Sequence, residues 1–263
     1  MKIALMDSGI GLLAAATAVR RLAPGADLVL SSDPDGLPWG PRTPEDIVRR
    51  SLAVAEAAAA HRPDAMIIAC NTSTVNALPA LRDRFEPDLP VIGTVPAIKP
   101  AAAGGGPVAI WATPATTGSP YQRGLIKDFA DGVPVTEVPC PGLADAVQEA
   151  DEDAIARAIA AAAALTPPDV RVVVLGCTHY ELVAERIRAA VQRPELPPPL
   201  VLHGSAGAVA AQALRRAGDA ARARDGHGGL TVILSGRESA LPPAALAYAE
   251  GRLLAQATPA LRP

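Results

Sequence analysis

The chain has 263 residues, 49% of them hydrophobic and 19% charged, with a net charge of −3. That composition excludes an intrinsically disordered chain, and so small a net charge gives no reason to expect nucleic acid or an anionic membrane surface as a partner. Its three cysteines, Cys70, Cys140 and Cys177, are too few and too scattered for a disulfide framework.

The chain opens with "MKIALMDSGIG", whose strand "KIALM" reaches Asp7 too soon for a signal peptide. No apolar run approaches the roughly 20 residues that span a bilayer, so a cytoplasmic protein is expected. Further strands are read at "DLVLS", "AMIIA", "PVIGTV", "PVAIWA", "VRVVVL", "PLVLH" and "LTVIL". Longer stretches with helical periodicity lie between them, which predicts an α/β fold of mainly parallel sheets flanked by helices. Strands as continuously apolar as "AMIIA" belong in sheets covered on both faces. One helix start is explicit: Thr43 as N-cap, Pro44 in the first position, Glu45 and Asp46 in the first turn, then "PEDIVRRSLAVAEAAAAH" up to the "RPD" break. The alanine tracts at 55–60 and 154–164 follow from helix propensity.

Two breaks suggest lobe boundaries. "KPAAAGGGP" at 99–107 reads as a hinge, and "QRPELPPPL" at 192–200 as a second crossing. The expected organisation is an outer α/β lobe, 1–98 plus 203–263, carrying Cys70, and an inserted α/β lobe, 99–202, carrying Cys177. The segment "GDAARARDGHGG", 218–229, reads as an exposed loop.

"IIACNTST" at 67–74 and "VVLGCTHY" at 173–180 both run a buried strand into a cysteine and then into a helical pattern. Ligands of open α/β sheets bind beyond the carboxyl ends of strands, and a helix amino terminus there favours anions. A thiol so placed can have its pKa lowered, which makes it a base or nucleophile. One such cysteine alone would read as a small buried hydrophobe; two in matching contexts, one per lobe, read as a functional pair. Neither has the paired spacing of a zinc site, and no metal is expected. Cys140, in "VPCPG", reads as structural.

Other polar clusters fall at strand ends. Asp7 and Ser8 of "MDSGIG" should reach the same face as Cys70, although the full G-x-G-x-x-G pattern of a dinucleotide site is missing. "LPWGPR", 37–42, is either an ordinary proline-glycine turn or a turn that presents backbone amides to a ligand. "WATPATTGS", 111–119, places hydroxyls suited to a carboxylate, or to simple helix capping by Thr117 or Ser119.

With "DSGIG", "PWG", "IIACNTST", "GTVPAIKPA", "ATPATTGS", "CPGL" and "VLGCTHY" in order, the chain resembles the cofactor-independent glutamate racemases of the aspartate/glutamate racemase superfamily. The resemblance implies two similar α/β lobes with the active site in the cleft between them, no cofactor, an amino-acid substrate and a homodimer. It implies Cys70 as the acid–base group for the D enantiomer and Cys177 for the L enantiomer, with Asp7 and His179 assisting their neighbouring thiols. Ser8, Trp39, Gly40, Asn71, Thr72, Thr113, Thr116 and Thr178 would hold the substrate. Two bases on opposite faces are what inversion at Cα requires. The three lysines, Lys2, Lys99 and Lys127, lack a convincing pyridoxal phosphate context.

The chain departs from the pattern at Leu12 (a glycine in the family), at Trp39 (a tyrosine), at Gln148 (an acidic residue) and at "HGSAG" (an aspartate-serine pair). Glu149 follows Gln148, but a helix turns about 100° per residue, so its side chain should face elsewhere. The expected activity is interconversion of L- and D-glutamate, supplying D-glutamate for peptidoglycan. Racemisation of aspartate or another amino acid, decarboxylation of a malonate-type acid, and a catalytically silent binding protein are the rival readings.

Overall fold

The computed structural model describes residues 1–192, 199–218 and 228–256. Most of the expected second crossing (193–198) and of the expected exposed loop (219–227) lies outside them. The strands are β1 (Lys2–Asp7), β2 (Asp27–Ser32), β3 (Ala65–Ile68), β4 (Val91–Gly93), β5 (Val108–Ala112), β6 (Val135–Pro139), β7 (Val172–Leu175), β8 (Val201–His203), β9 (Leu230–Leu234) and β10 (Arg237–Ser239). The helices are α1 (Leu12–Leu22), α2 (Pro44–Ala59), α3 (Asn71–Phe85), α4 (Ile98–Ala103), α5 (Pro120–Phe129), α6 (Leu143–Glu149), α7 (Glu152–Leu165), α8 (Thr178–Glu181), α9 (Ala184–Val191), α10 (Ala206–Arg216), α11 (Pro243–Leu246) and α12 (Ala249–Gln256).

Contacts divide the chain into two compact units, Met1–Thr94 with Ala206 onward, and Val95–Ser205. The first holds a sheet of order β10-β9-β2-β1-β3-β4, parallel except for β10. Ala4, Met6, Val29, Met66 and Ile68 pack on one side with Ile47, Val54, Ala55 and Ala58 of α2 and Ala77 and Leu81 of α3. Alternation turns Ile3 and Leu5 to the opposite face, where α1 lies with α10 and α12. β3 is apolar throughout because it is buried throughout; each of Met66, Ile67 and Ile68 gains about 2 kcal/mol from leaving water. The second unit holds a fully parallel sheet, β6-β5-β7-β8, with Ile98, Ala101, Val108, Ile110, Val172 and Val174 in one cluster.

The α/β class expected from the sequence is thus the observed one, and all eight expected strands form. Two were not foreseen. "VTEVP" forms β6, an edge strand with a mostly half-buried polar pattern. "RES" forms the exposed antiparallel β10, joined to β9 through Ser235 and Gly236, both with positive φ. The hinge expected at 99–107 is corrected in part: Ile98–Ala103 is helix, because Pro100 falls in its first turn, where a missing N–H costs nothing.

Thr43 caps α2 as expected, accepting from the Asp46 N–H at 3.3 Å. Arg20 was not anticipated. It is 5% exposed, and its guanidinium donates to the carbonyls of Pro24 (2.7 Å), Ala26 (2.7 Å) and Gly229 (3.0 Å), tying the α1–β2 turn to the start of β9. Arg20→Ala leaves three carbonyls without these donors and is expected to destabilise the protein by about 3 kcal/mol, read from the urea midpoint at unchanged slope.

Candidate active site

Strand order locates the sites. After β1 the chain moves to β2 on one side, then returns to β3 on the other, so a topological switch point lies between β1 and β3. Asp7 and Ser8 end β1 there, and Cys70 follows β3. The smaller sheet repeats the device: β6 and β7 flank β5, and the β5–β7 switch point is bordered by Thr113 and by Cys177. Each thiol therefore sits where an open parallel sheet forms its ligand crevice.

Cys70 is the N-cap residue of α3 and 4% exposed. Its Sγ lies 3.7 Å from the Ser8 hydroxyl, which donates to Asp7 Oδ1 at 3.1 Å; the Ser8 N–H reaches the same oxygen at 2.6 Å. A Cys70–Ser8–Asp7 chain is thus in place for moving a proton. Burial, reinforced by the Asp7 charge, pushes the Cys70 thiol up to about 12 against the opposing bonds from Ser73 and Ser8. This reverses the expected lowering by the helix terminus: desolvation of the thiolate outweighs the dipole. At rest Cys70 is a thiol, and a proton donor. Asn71 and Thr72 occupy the first two positions of α3, Asn71 buried and Thr72 half-buried.

Cys177 is partly accessible. The helix after it, α8, is a single turn of four residues, so the expected dipole there is small. What the sulfur has instead is a ring: Sγ lies 3.9 Å from Nδ1 of His179. On its other side His179 Nε2 is 3.1 Å from Gln148 Oε1. Burial lowers the His179 pKa to about 4, so the imidazole is neutral at working pH. Thr178 is buried beside it. Glu149 is exposed, as the helical rotation predicted.

Thr113 and Thr116 share a hydroxyl contact of 3.2 Å in the turn after β5, closed by the Thr116 N–H on the Thr113 carbonyl (2.9 Å). Ser119 caps α5, accepting from the Gln122 N–H, while Thr117 donates to the carbonyls of Thr113 and Ala112. Trp111 on β5 is fully buried and donates its indole N–H to Thr166 at 2.9 Å, which anchors the strand below this turn.

Trp39 lies in the same apolar cluster as Cys70, 2% exposed, with its indole N–H on Asp33 Oδ2 at 3.2 Å. Its polar edge is engaged inside the protein. Gly40 is exposed, and a Cβ there would meet nothing within 4 Å. Asp33, not among the residues expected at the site, also accepts from Arg50 (2.8 Å) and from Ser235 (3.2 Å), so it joins the "LPWGPR" turn to α2 and to the end of β9. Its signal was an acidic residue directly after the second strand. Leu12 is buried in the first turn of α1. Cys140 is buried, donates its S–H to Val138 O at 3.5 Å and is pushed up to about 12, chiefly by burial. Lys2 donates to His61 O, and Lys99 lies over the Phe129 ring. Among the described residues no cluster of three or more His, Cys, Asp or Glu is placed to hold a metal ion.

Residues 12–213 match the family described as Asp/Glu/Hydantoin racemase. A glutamate racemase of Roseiflexus sp. (strain RS-1) is 38% identical over 192 residues, covering 71% of this chain and 70% of that protein. One from Granulibacter bethesdensis is 39% identical over 200 residues, covering 73% and 71% respectively. The crystal structure of Escherichia coli glutamate racemase with L-glutamate and the activator UDP-MurNAc-ala superposes with a TM-score of 0.80 at 27% identity, over 98% of this chain and 95% of that one.

Proposed function

Since the chain belongs to the Asp/Glu/hydantoin racemase family, we propose that it interconverts L- and D-glutamate without a cofactor, by proton transfer at Cα between two thiols. The observation that carries this reading is the duplication: each sheet brings a cysteine, with its own proton partner, to a switch point. Mere binding of an anion has no need of two such thiols, and decarboxylation needs a proton from one face only.

In the D-to-L direction, Cys70 acts as base. Its thiol proton passes through the Ser8 hydroxyl towards Asp7, the sulfur takes the Cα proton of D-glutamate, and Cys177 delivers its S–H proton to the opposite face. In the reverse direction Cys177 is the base, its thiol proton going to Nδ1 of His179, and Cys70 is the donor. The carbanion has to be held by fixed donors around the carboxylates. We assign these to Ser8, Asn71 and Thr72 near Cys70 and to Thr113, Thr116 and Thr178 near Cys177. Gly40 contributes through its backbone, and Trp39 shapes the apolar wall behind Cys70.

We place the protein in the cytoplasm as a homodimer, making D-glutamate for peptidoglycan. The family resemblance supports that setting, and no helix among the described residues is long and apolar enough to cross a membrane.

The test is incubation with L-glutamate in D2O without added cofactor, followed by Cα deuterium content and optical rotation. Expected is deuterium incorporation together with loss of rotation. Exchange of aspartate or another amino acid but not glutamate would move the substrate, and absence of exchange with any amino acid would sink the racemase reading.

A further inference from the structure

We propose that Gln148 is a positioning residue for proton transfer at Cys177: by accepting the Nε2 proton of His179, it fixes the neutral imidazole tautomer whose Nδ1 lone pair faces the thiol. This rests on the racemase reading above. The geometry comes from two contacts on opposite edges of one ring, Nε2 to Gln148 Oε1 at 3.1 Å and Nδ1 to Cys177 Sγ at 3.9 Å. An amide oxygen can only accept, so the hydrogen of that bond is carried by Nε2. A neutral imidazole has one N–H, and with Nε2 protonated Nδ1 must be the acceptor. Cys177 then donates its S–H to Nδ1.

The choice of an amide matters because of what a carboxylate would do in its place. A carboxylate beside Nε2 would stabilise the imidazolium and raise its pKa; the amide supplies the same acceptor without the charge. The titratable groups on α8 and on the elements packed against it are Tyr180 and Glu181 on α8 and Asp145 and Glu149 on α6. Glu181 accepts from the backbone N–H and hydroxyl of Ser205, Tyr180 donates to the Cys140 carbonyl, and Glu149 is exposed. Asp145 acts on Tyr180, whereas the His179 shift comes from burial alone. Gln148 thus meets the Nε2 edge of the ring with an acceptor that carries no charge.

The chemical consequence is an imidazolium that exists only during turnover. When Cys177 becomes a base, its S–H bond breaks, the electron pair stays on sulfur, and the proton forms a bond to Nδ1; the ring then carries one positive charge opposite one thiolate. In the other direction the thiol gives its proton to Cα, the electron pair stays on sulfur, and a proton from solvent restores the thiol. Between turnovers the pair rests as thiol and neutral ring.

Histidine-15N-labelled protein, with His179 signals identified by comparison with His179→Asn, is examined by long-range 1H–15N correlation from pH 4.5 to 8.5. The parallel samples are Gln148→Glu and Gln148→Met, and glutamate exchange in D2O is assayed on the same preparations. In the parent, His179 should carry its proton on Nε2 and stay neutral across most of that range. Gln148→Glu should raise its proton affinity at least about tenfold, one pH unit, and move the acid limb of kcat/KM with it. Gln148→Met, which removes the acceptor, should populate the Nδ1–H tautomer. An Nδ1–H ring in the parent, or a tautomer and titration indifferent to both substitutions, overturns the proposal. The parent spectrum decides even where a variant does not fold. The expected tautomer together with no exchange of glutamate supports the assignment of Gln148 and overturns the substrate reading instead.

Discussion

Cys177→Ala is expected to lose inversion of glutamate by at least about 10³-fold, yet to keep washing solvent deuterium into D-glutamate without inverting it. The size follows from what a positioned acid–base group contributes, about 10²–10⁴-fold, when no second group covers its face of the carbon. The survival of exchange follows from Cys70 having partners of its own, Ser8 at 3.7 Å and Asp7 beyond it. Cys70→Ala should show the mirror image, with exchange confined to L-glutamate. Both are read by mass spectrometry and chiral chromatography after incubation of each pure enantiomer in D2O. Inversion within tenfold of the parent in either variant would rule out the two-thiol scheme. Circular dichroism guards against trivial unfolding, which is not expected for removal of one sulfur atom from the buried Cys70 or the partly accessible Cys177.

The second large effect is expected at Gly176, directly before Cys177. A Cβ built there lies 2.8 Å from the Trp111 carbonyl oxygen and 3.2 Å from Ala112 Cβ. That carbonyl also accepts the Gly176 N–H at 2.8 Å. Both obstacles belong to β5 and neither is the end of a flexible side chain, so Gly176→Ala must push β7 and its cysteine away from β5. Overpacking of this kind costs about 1–3 kcal/mol. A displacement of about 1 Å at a reacting group costs about 10²-fold in rate. Thermal unfolding and the racemisation assay should therefore both respond, the second more strongly. Gly40→Ala is the natural control, since a Cβ there meets nothing within 4 Å and stability should be unchanged. An active, fully stable Gly176→Ala would show that the β5–β7 junction has more give than its packing implies.

The sequence was most legible where the deciding physics is local. Apolar runs such as "AMII" announce a strand covered on both faces, and Thr43-Pro44 followed by acidic residues announces a helix start. The cysteines could be placed at strand ends for the same reason. β6 was lost because Pro139 and half-buried polar residues hide its pattern, and β10 because all three of its residues are exposed.

The contacts that give each thiol its character were not legible, since they join residues far apart in the chain. Ser8 meets Cys70 across 62 positions and Gln148 meets His179 across 31. Both depend on which strands become neighbours, which no local pattern states. The direction of the Cys70 shift was not legible for a related reason. A helix start is visible in sequence, whereas the completeness of burial that outweighs it appears only in the packed fold.

The buried thiol of Cys70 also bears on how the protein ages. Oxidation to sulfenic acid begins from the thiolate. With burial holding the group well above the ordinary thiol range, very little of it is thiolate at pH 7. Peroxide therefore finds almost nothing to attack, and a 4% exposed sulfur offers little surface for the encounter. The same desolvation that keeps the proton on the Cys70 sulfur at rest also shields that sulfur from oxidation.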